Sequence, residues 1–179
     1  MYIWIGINVD DQLKKIKERS FAIEKKLGFK NSNFTLPLHI SLKISFEVDD
    51  SVYSSVIRTI TEYYQKLNAF EVDVKGIENH EEIIWIRMLS NESINKIHDD
   101  LNEILKNKFN VGLHEYDLDY KFHTTLFMDN DSEIIDKAYD LIRNEDLPSK
   151  LIVNKFVIGT SESGKLGSYS VNNTVIVER

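Results

Sequence analysis

The chain contains no cysteine, only two prolines and seven glycines, and no long hydrophobic run. The absence of cysteine excludes disulfides, thiolate nucleophiles and zinc–thiolate centres. Without a run of about 18 apolar residues, no membrane-spanning helix is expected. The apolar start, residues 1–7, has no basic segment before it and no small-residue cleavage site after it, which favours a core strand over a signal peptide. A cytoplasmic protein that does not associate with membranes is therefore expected.

Basic residues are also in deficit, because 22 lysines and arginines stand against 29 aspartates and glutamates, which gives a net charge of −7. A chain with this balance lacks the broad positive surface that duplex DNA requires. A small phosphorylated ligand or the end of an RNA strand can still bind in a local positive pocket. The sequence does not indicate a protein partner.

The hydrophobic periodicity predicts alternating strands and helices. Strands are expected near 2–9, 38–48, 70–77, 82–89, 121–128, 150–159 and 168–178, and helices near 11–28, 50–67, 91–108 and 131–144. Gly28 is expected to end the first helix. The last two strands resemble a hairpin, which favours an α+β fold with mixed or antiparallel sheets over a doubly wound parallel sheet.

Two features recur at similar spacing along the 179 residues. Ile3-Trp4-Ile5 is repeated as Ile84-Trp85-Ile86, 81 positions later, and a histidine motif at position 39 is repeated at 123, 84 positions later. This agreement indicates an internal duplication. We therefore expect a single domain over 1–179, with one lobe at about 1–79 and a second at about 80–179.

The two histidine motifs are His39-Ile40-Ser41-Leu42 and His123-Thr124-Thr125-Leu126. In a strand, residues two apart point to the same face, so each motif presents an imidazole beside a hydroxyl. Two such units meeting across a cleft supply two proton-transfer groups and two hydrogen-bond donors around one small anion. That arrangement suits in-line displacement at phosphorus.

Two H-x-[ST] motifs at matching places in a duplicated chain resemble the 2H phosphoesterase superfamily, and within it the LigT-like group of 2'-5' RNA ligases and cyclic phosphodiesterases. The resemblance implies a bilobal α+β fold in which two mostly antiparallel sheets, with helices outside them, flank a central cleft. It implies metal-independent chemistry on 2',3'-cyclic phosphates or 2'-5' linkages, with a cyclic nucleotide or an RNA end as substrate. It also implies that His39 and His123 are catalytic and that Ser41 and Thr125 bind the phosphate. The segment 163–169 resembles the late turn of the family.

Other side chains near the motifs have both a functional and a structural interpretation. Lys43 and Lys121 lie two residues from a motif on the predicted cleft face and either bind phosphate or are solvated strand lysines. Trp4, Trp85 and Tyr169 either stack on a nucleobase or belong to the core. The remaining histidines, at positions 80, 98 and 114, have no comparable context and are expected at the surface.

A metal site is not expected, because neither motif has acidic residues at the spacing that a hydrolytic metal centre needs, and no cofactor is indicated. The leading hypothesis is a phosphodiesterase that uses one histidine as base and the other as acid. The same groups could run the reaction in reverse as a 2'-5' RNA ligase. The alternatives are a non-catalytic module that binds nucleotides or RNA ends, and a structural interaction protein in which the paired motifs are coincidental.

Overall fold

The computed structural model describes residues 1–29 and 36–178. The strands are β1 (Tyr2–Asn8), β2 (His39–Glu47), β3 (Phe70–His80), β4 (Ile83–Met88), β5 (His123–Met128), β6 (Lys150–Val153), β7 (Lys155–Ser161) and β8 (Ser170–Ile176). The helices are α1 (Lys14–Leu27), α2 (Asp50–Tyr64), α3 (Glu92–Phe109) and α4 (Ser132–Ile142), with 3-10 turns at Asp10–Leu13 and Glu115–Asp117. None of the helices in these ranges is both long and apolar enough to cross a bilayer.

The strands form two four-stranded sheets in which every pair of neighbours is antiparallel. The first sheet has the order β2-β1-β7-β8 and the second has the order β5-β4-β3-β6. The helices lie against these sheets and against each other, α1 beside α4 and α2 beside α3. The predicted α+β class with two antiparallel sheets is confirmed.

The predicted boundary between the lobes, near 79 and 80, does not match the sheets. Strand β3 belongs to the second sheet although it precedes that boundary, while β7 and β8 return to the first sheet from the end of the chain. The strand predicted at 150–159 is in fact two strands, because β6 pairs with β3 and β7 pairs with β1, with Asn154 between them. A continuous apolar run has the same pattern whether or not the chain changes sheets within it, so periodicity could not reveal this crossing.

The helices begin and end where their capping residues predict. α1 ends at Gly28, whose φ of 73° is the left-handed conformation that glycine adopts without steric cost, as expected. Asn91 accepts a hydrogen bond from the Ile94 backbone at the start of α3, and Asp131 does the same for Glu133 and Ile134 at the start of α4. These caps end or begin the helices at defined residues, and the strand orders place both motif strands at sheet edges.

Candidate active site

The two motif strands are edge strands of different sheets and lie next to each other. They enclose a cavity of about 320 Å³, which is large enough for a nucleotide-sized fragment. Both motif histidines and both motif hydroxyls contribute to its wall, together with Trp4, Leu36, Lys43, Ile44, Ser45, Tyr120, Met128, Leu166, Gly167 and Tyr169. The tertiary structure thus brings His39, Ser41, His123 and Thr125 to one place.

The two motifs occupy equivalent positions in their sheets. The residue pairs are His39 with Asn8, Ser41 with Gly6, His123 with Arg87 and Thr125 with Trp85. In each motif strand the register shifts by one residue immediately after the hydroxyl, at Leu42 in β2 and at Leu126 in β5. In each motif strand the bulge turns the residue after it toward the interior, while the histidine and the hydroxyl before it face the cavity.

The Ile-Trp-Ile repeat, by contrast, does not mark equivalent positions. The residue opposite Ser41 is Gly6, whereas the residue opposite Thr125 is Trp85. The two tryptophans therefore differ by two register positions, although both contact a motif histidine. Trp4 meets the His39 ring edge-on at 4.3 Å between centroids, and Trp85 lies 4.2 Å from the ring of His123.

Each motif imidazole is held in one tautomer by the backbone two residues before it. His39 Nδ1 donates to the Pro37 carbonyl at 2.7 Å, and His123 Nδ1 donates to the Lys121 carbonyl at 2.6 Å. A carbonyl oxygen can only accept, so Nδ1 carries the proton in both rings. Nε2 of each imidazole is therefore the nitrogen that can exchange a proton with a ligand.

Burial makes the charged form of both imidazoles costly. It lowers the pKa of His39 to about 4, against the opposing effect of the hydrogen bond to Pro37, and the charge of His123 lowers it further. Burial also lowers the pKa of His123, and the nearby charges of Arg87 and His80 add to that shift. Both rings are therefore neutral near pH 7 when the cavity holds no anion.

The hydroxyl of Ser41 is oriented by Trp4. The indole Nε1 donates to Ser41 Oγ at 3.0 Å, and because an indole N–H can only donate, Ser41 Oγ is the acceptor. Ser41 also forms a side-chain hydrogen bond with Tyr120. The phenol of Tyr120 lies nearby, and Ser41 partly offsets the rise that burial and the charge of Asp117 cause in its pKa.

Trp4 is therefore a structural residue and not a stacking surface, contrary to one of the two interpretations of the sequence. Its side chain is only 5% exposed. A Cβ at Gly6 would lie 2.6 Å from the indole, and one at Gly159 would lie 2.7 Å from it, so these two glycines make room for the ring on the sheet.

Trp85 retains more exposure and belongs to a polar strip on the second sheet. Its Nε1 donates to Glu78 at 3.1 Å, and its ring lies 4.0 Å from that of His80. Burial opposes ionisation of Glu78, but hydrogen bonds from Lys75, Trp85 and His80 hold its pKa at about 2. A partly exposed indole that is hydrogen-bonded to the ionised Glu78 fits the predicted stacking role of Trp85, which stays a prediction.

Lys43 does not face the cavity with a free ammonium, which corrects the prediction that it binds phosphate. The bulge at Leu42 turns it inward, where its side chain is 2% exposed. Its Nζ donates to Asp117 at 2.5 Å and to Asn102 at 2.7 Å, with the Gly112 carbonyl at 3.3 Å. These three acceptors use all three donors of the ammonium. The prediction failed because the bulge interrupts the strict alternation of side chains along the strand.

The other predicted site residues lie at the rim. Lys121 is exposed, with its Nζ 4.0 Å from Asp119 and its carbonyl used by His123. Tyr169 contributes to the cavity wall, and its hydroxyl is shielded from solvent without a partner among the described residues. The preceding turn is closed by Ser161, whose Oγ accepts from the backbone of Ser163 and Gly164.

Two residues near the motifs were missed or misjudged in the sequence, and the place of a third, the stacking candidate Tyr120, could not be read from it. Arg87 pairs with His123 across the sheet, and its Nη1 is shielded from solvent with no acceptor among the described residues. Tyr120 reaches the cavity from a loop, and His98, expected at the surface, is 5% exposed. Cross-strand register and loop placement, which no sequence periodicity encodes, decided all three positions.

Within residues 1–29 and 36–178, no three histidine or carboxylate side chains are grouped closely enough to hold a metal ion. The geometry instead presents two Nε2 atoms and two hydroxyls to the same space.

Comparison with known proteins agrees with the predicted resemblance. The family model described as the 2'-5' RNA ligase superfamily matches residues 9–165. No curated protein matches the chain. TT0787 of Thermus thermophilus superposes with a TM-score of 0.65 at 14% identity, over 99% of this chain and 98% of that chain. LigT of E. coli in its apo form superposes with a TM-score of 0.59 at 12% identity, over 99% and 97%.

At these identities the solved structures establish the fold, and the family model establishes the relationship. The paired motif strands, the two antiparallel sheets and the match over 9–165 agree with one another. The chain belongs to the 2'-5' RNA ligase superfamily, a 2H phosphoesterase-like family.

Proposed function

We propose that this protein is a phosphodiesterase that opens 2',3'-cyclic or 2'-5' phosphodiesters of nucleotides or RNA ends by two-histidine acid–base catalysis. One observation carries the proposal: His39 and His123 line one cavity, and each donates Nδ1–H to the carbonyl two residues before it. Both Nε2 atoms are therefore free to exchange a proton with a ligand, since neither has a hydrogen-bond partner among the described residues.

The pKa values support a division of roles. With its pKa lowered to about 4, His39 is the neutral partner and serves as the base that activates water. His123 serves as the acid that protonates the departing oxygen. A bound phosphodiester anion favours the imidazolium and raises the pKa of His123 from its low value in the free protein.

The phosphoryl group is held by the two hydroxyls and one cation. Ser41, whose oxygen accepts from Trp4, donates its proton to a non-bridging oxygen in place of Tyr120, and Thr125 donates from the second motif. Arg87, next to His123, takes the role that was predicted for Lys43, because a phosphate oxygen would satisfy its unpaired nitrogen. Lys121 remains a second candidate at the rim.

The nucleoside part has an aromatic wall available beside the cleft. Trp85, Tyr116 and Tyr120 line a neighbouring cavity of about 480 Å³ that shares His123 with the cleft, and Tyr169 lies on the other side. LigT of E. coli, which has the same fold, has been solved in complexes with 3'-AMP and with phosphate. A nucleotide end fits a site of this composition.

The test is turnover of a 2',3'-cyclic nucleotide in the presence of a chelator, with the product identified as the 2'- or 3'-phosphate. His39→Ala and His123→Ala should each abolish turnover, and the double variant should be no worse than the worse single, because the two residues act as a unit. Lys137→Met, at an exposed lysine of α4 outside the cavity, serves as the control and should keep full activity.

The same assay separates the alternatives. A folded His39→Ala variant with full activity would overturn the two-histidine mechanism, and turnover that needs a divalent ion would replace it with metal-activated water. Binding of the cyclic nucleotide without turnover would make the protein a binding module. Formation of 2'-5'-joined RNA from separate ends would show the reverse direction of the same chemistry.

A further inference from the structure

A group of buried polar side chains lies directly behind the first motif and is not part of the proposed chemistry. We call it the Lys43 network, and it consists of Lys43, Asn102, Asp117 and His98. All four side chains belong to residues that are at most 7% exposed. They come from strand β2, helix α3 and the loop after α3, so the network joins three elements that are far apart in the sequence.

The hydrogen bonds of the network join the two side chains of helix α3 to strand β2 and to the loop. Asn102 Oδ1 accepts from Lys43 at 2.7 Å, so its Nδ2 faces His98 Nε2 at 3.1 Å. His98 Nε2 also lies 3.1 Å from the backbone carbonyl of Asp117. The proton on Nδ1 follows from its other contact, because a carbonyl can only accept. Nδ1 donates to the Leu42 carbonyl at 2.7 Å. Leu42 is the bulged residue of the first motif, so His98 binds a carbonyl at the point where the regular ladder is interrupted.

The same network holds the loop that leads into the second motif. Asp117 Oδ2 accepts from Lys43 and from the His114 backbone at 2.8 Å. The ring of His98 lies 4.5 Å from that of Tyr120 in a stacked arrangement. Tyr120 is followed directly by Lys121, whose carbonyl fixes the tautomer of His123.

We infer that the Lys43 network is a positioning device that couples the two motifs: it fixes the bulge that directs Ser41 into the cleft and anchors the 110–121 loop that orients His123. The inference rests on the proposed function for its catalytic consequence. Lys43, Asn102, Asp117 and His98 touch no substrate in this scheme. They act through Ser41, Tyr120 and the Lys121 carbonyl.

The alternative is a buried ion pair that contributes only to global stability, and charge removal distinguishes the two. Lys43→Met leaves the Asp117 carboxylate buried without its counter-ion, so this variant loses stability under either interpretation. Lys43→Met/Asp117→Leu removes both charges, and apolar replacement of a buried pair commonly restores stability. Only the positioning role predicts that the double variant stays impaired.

The experiment measures kcat and KM on a 2',3'-cyclic nucleotide, amide hydrogen exchange over 110–121, and the chemical shift of the Ser41 backbone amide. For the double variant we expect kcat to fall by about 100-fold, the loss that a displacement of about 1 Å can cause, with little change in KM. Loop amides should exchange at least about tenfold faster, and the Ser41 amide should shift. Arg19→Met removes an ion pair with Glu145 that also links distant segments, and as the matched control it should change none of these.

The outcomes are separable from those of the proposed function. A folded double variant with wild-type kcat, exchange and Ser41 shift would overturn the positioning role, and so would a double variant that fails to fold, since the pair would then serve global stability. If the wild-type protein does not turn over cyclic nucleotides, the proposed function fails. The positioning role is then tested only by amide hydrogen exchange over 110–121 and by the chemical shift of the Ser41 backbone amide.

Discussion

At the scale of single residues, the site is defined by which hydrogen-bond donors and acceptors already have a partner within the protein and which face the cavity. The Nδ1 atoms of His39 and His123 are used by carbonyls, the oxygen of Ser41 is used by Trp4, and the ammonium of Lys43 is used by Asp117. What faces the cavity is the two Nε2 atoms and the hydroxyls of Ser41 and Thr125. This inventory, more than the identity of the residues, indicates proton transfer around an anion.

The pH dependence of catalysis follows from the two lowered pKa values. His39 must be neutral, so kcat/KM should rise with pH through the pKa of about 4. His123 must be protonated, so kcat/KM should fall as pH passes its pKa, which lies below the ordinary 6.5. We expect a bell with its maximum on the acid side of neutrality, and a kcat profile whose alkaline limb lies at higher pH because the bound anion stabilises the imidazolium. A profile that rises steadily to pH 9 would contradict these roles. The limbs belong to the pair until single variants assign them.

Arg87 should contribute to binding the phosphate more than to the chemical step. We expect Arg87→Met to raise KM by about tenfold with a smaller change in kcat, because a cation that binds ground and transition states alike affects binding uniformly. The salt dependence of KM should weaken at the same time. Arg143→Met, which removes an exposed arginine paired with Asp140, is the control and should match wild type. An unchanged KM in Arg87→Met would remove this residue from the site.

At the scale of elements, the central strand β1 depends on Trp4 lying flat across glycine positions. A Cβ at Gly6 would meet the indole at 2.6 Å and the Ile40 backbone oxygen at 2.7 Å, and the backbone atom cannot move away as a flexible side chain can. The motif strand β2 pairs with β1 at this point, with Gly6 opposite Ser41. Packing at Gly6 therefore controls where the first motif lies.

Gly6→Ala should therefore destabilise the protein by about 1–3 kcal/mol, the usual cost of overpacking, and should also lower activity. The measurement is urea-induced unfolding together with turnover of the cyclic nucleotide. Gly112→Ala is the matched control, since a Cβ there would meet no atom within 4 Å. Equal stability of the two variants would show that the indole and β2 accommodate the added methyl group without loss.

At the scale of the whole molecule, the two sheets are interleaved along the chain. β1 takes β7 as its neighbour from the far end of the sequence, while β3 joins the second sheet from the first half. Each sheet is therefore incomplete without segments from both halves. The cavity between β2 and β5 forms only when both sheets are assembled.

A fragment of residues 1–79 should consequently fail to fold cooperatively, because β1 would lack β7 and β3 would lack β4 and β6. Circular dichroism during urea titration should show no sigmoidal transition for this fragment, in contrast to the full chain. Mixing it with a fragment of 80–179 should restore a cooperative transition if the interleaved sheets can assemble from two pieces. A cooperative transition of 1–79 alone would show that the first half is an independent unit.

Local sequence patterns were enough to predict the helices, most of the strands, the α+β class, the family resemblance and the residues that the two motifs contribute. These follow from local rules: apolar periodicity, caps such as Gly28, and the spacing of His39 and Ser41 or of His123 and Thr125 along a strand. Each of these signals extends over a few neighbouring residues, so it survives without knowledge of the fold.

Some residues are positioned by contacts with segments that are far away in the sequence, and their positions are known only from the tertiary structure. Strict alternation placed Lys43 in the cleft, but the bulge at Leu42 and the carboxylate of Asp117 place it in the interior. Arg87 lies beside His123 only because β4 and β5 pair in this register. His98 is buried because it binds the Leu42 carbonyl, 56 residues away. Strand pairing and buried hydrogen bonds join segments that are far apart in the chain, and local periodicity contains no information about which segments meet.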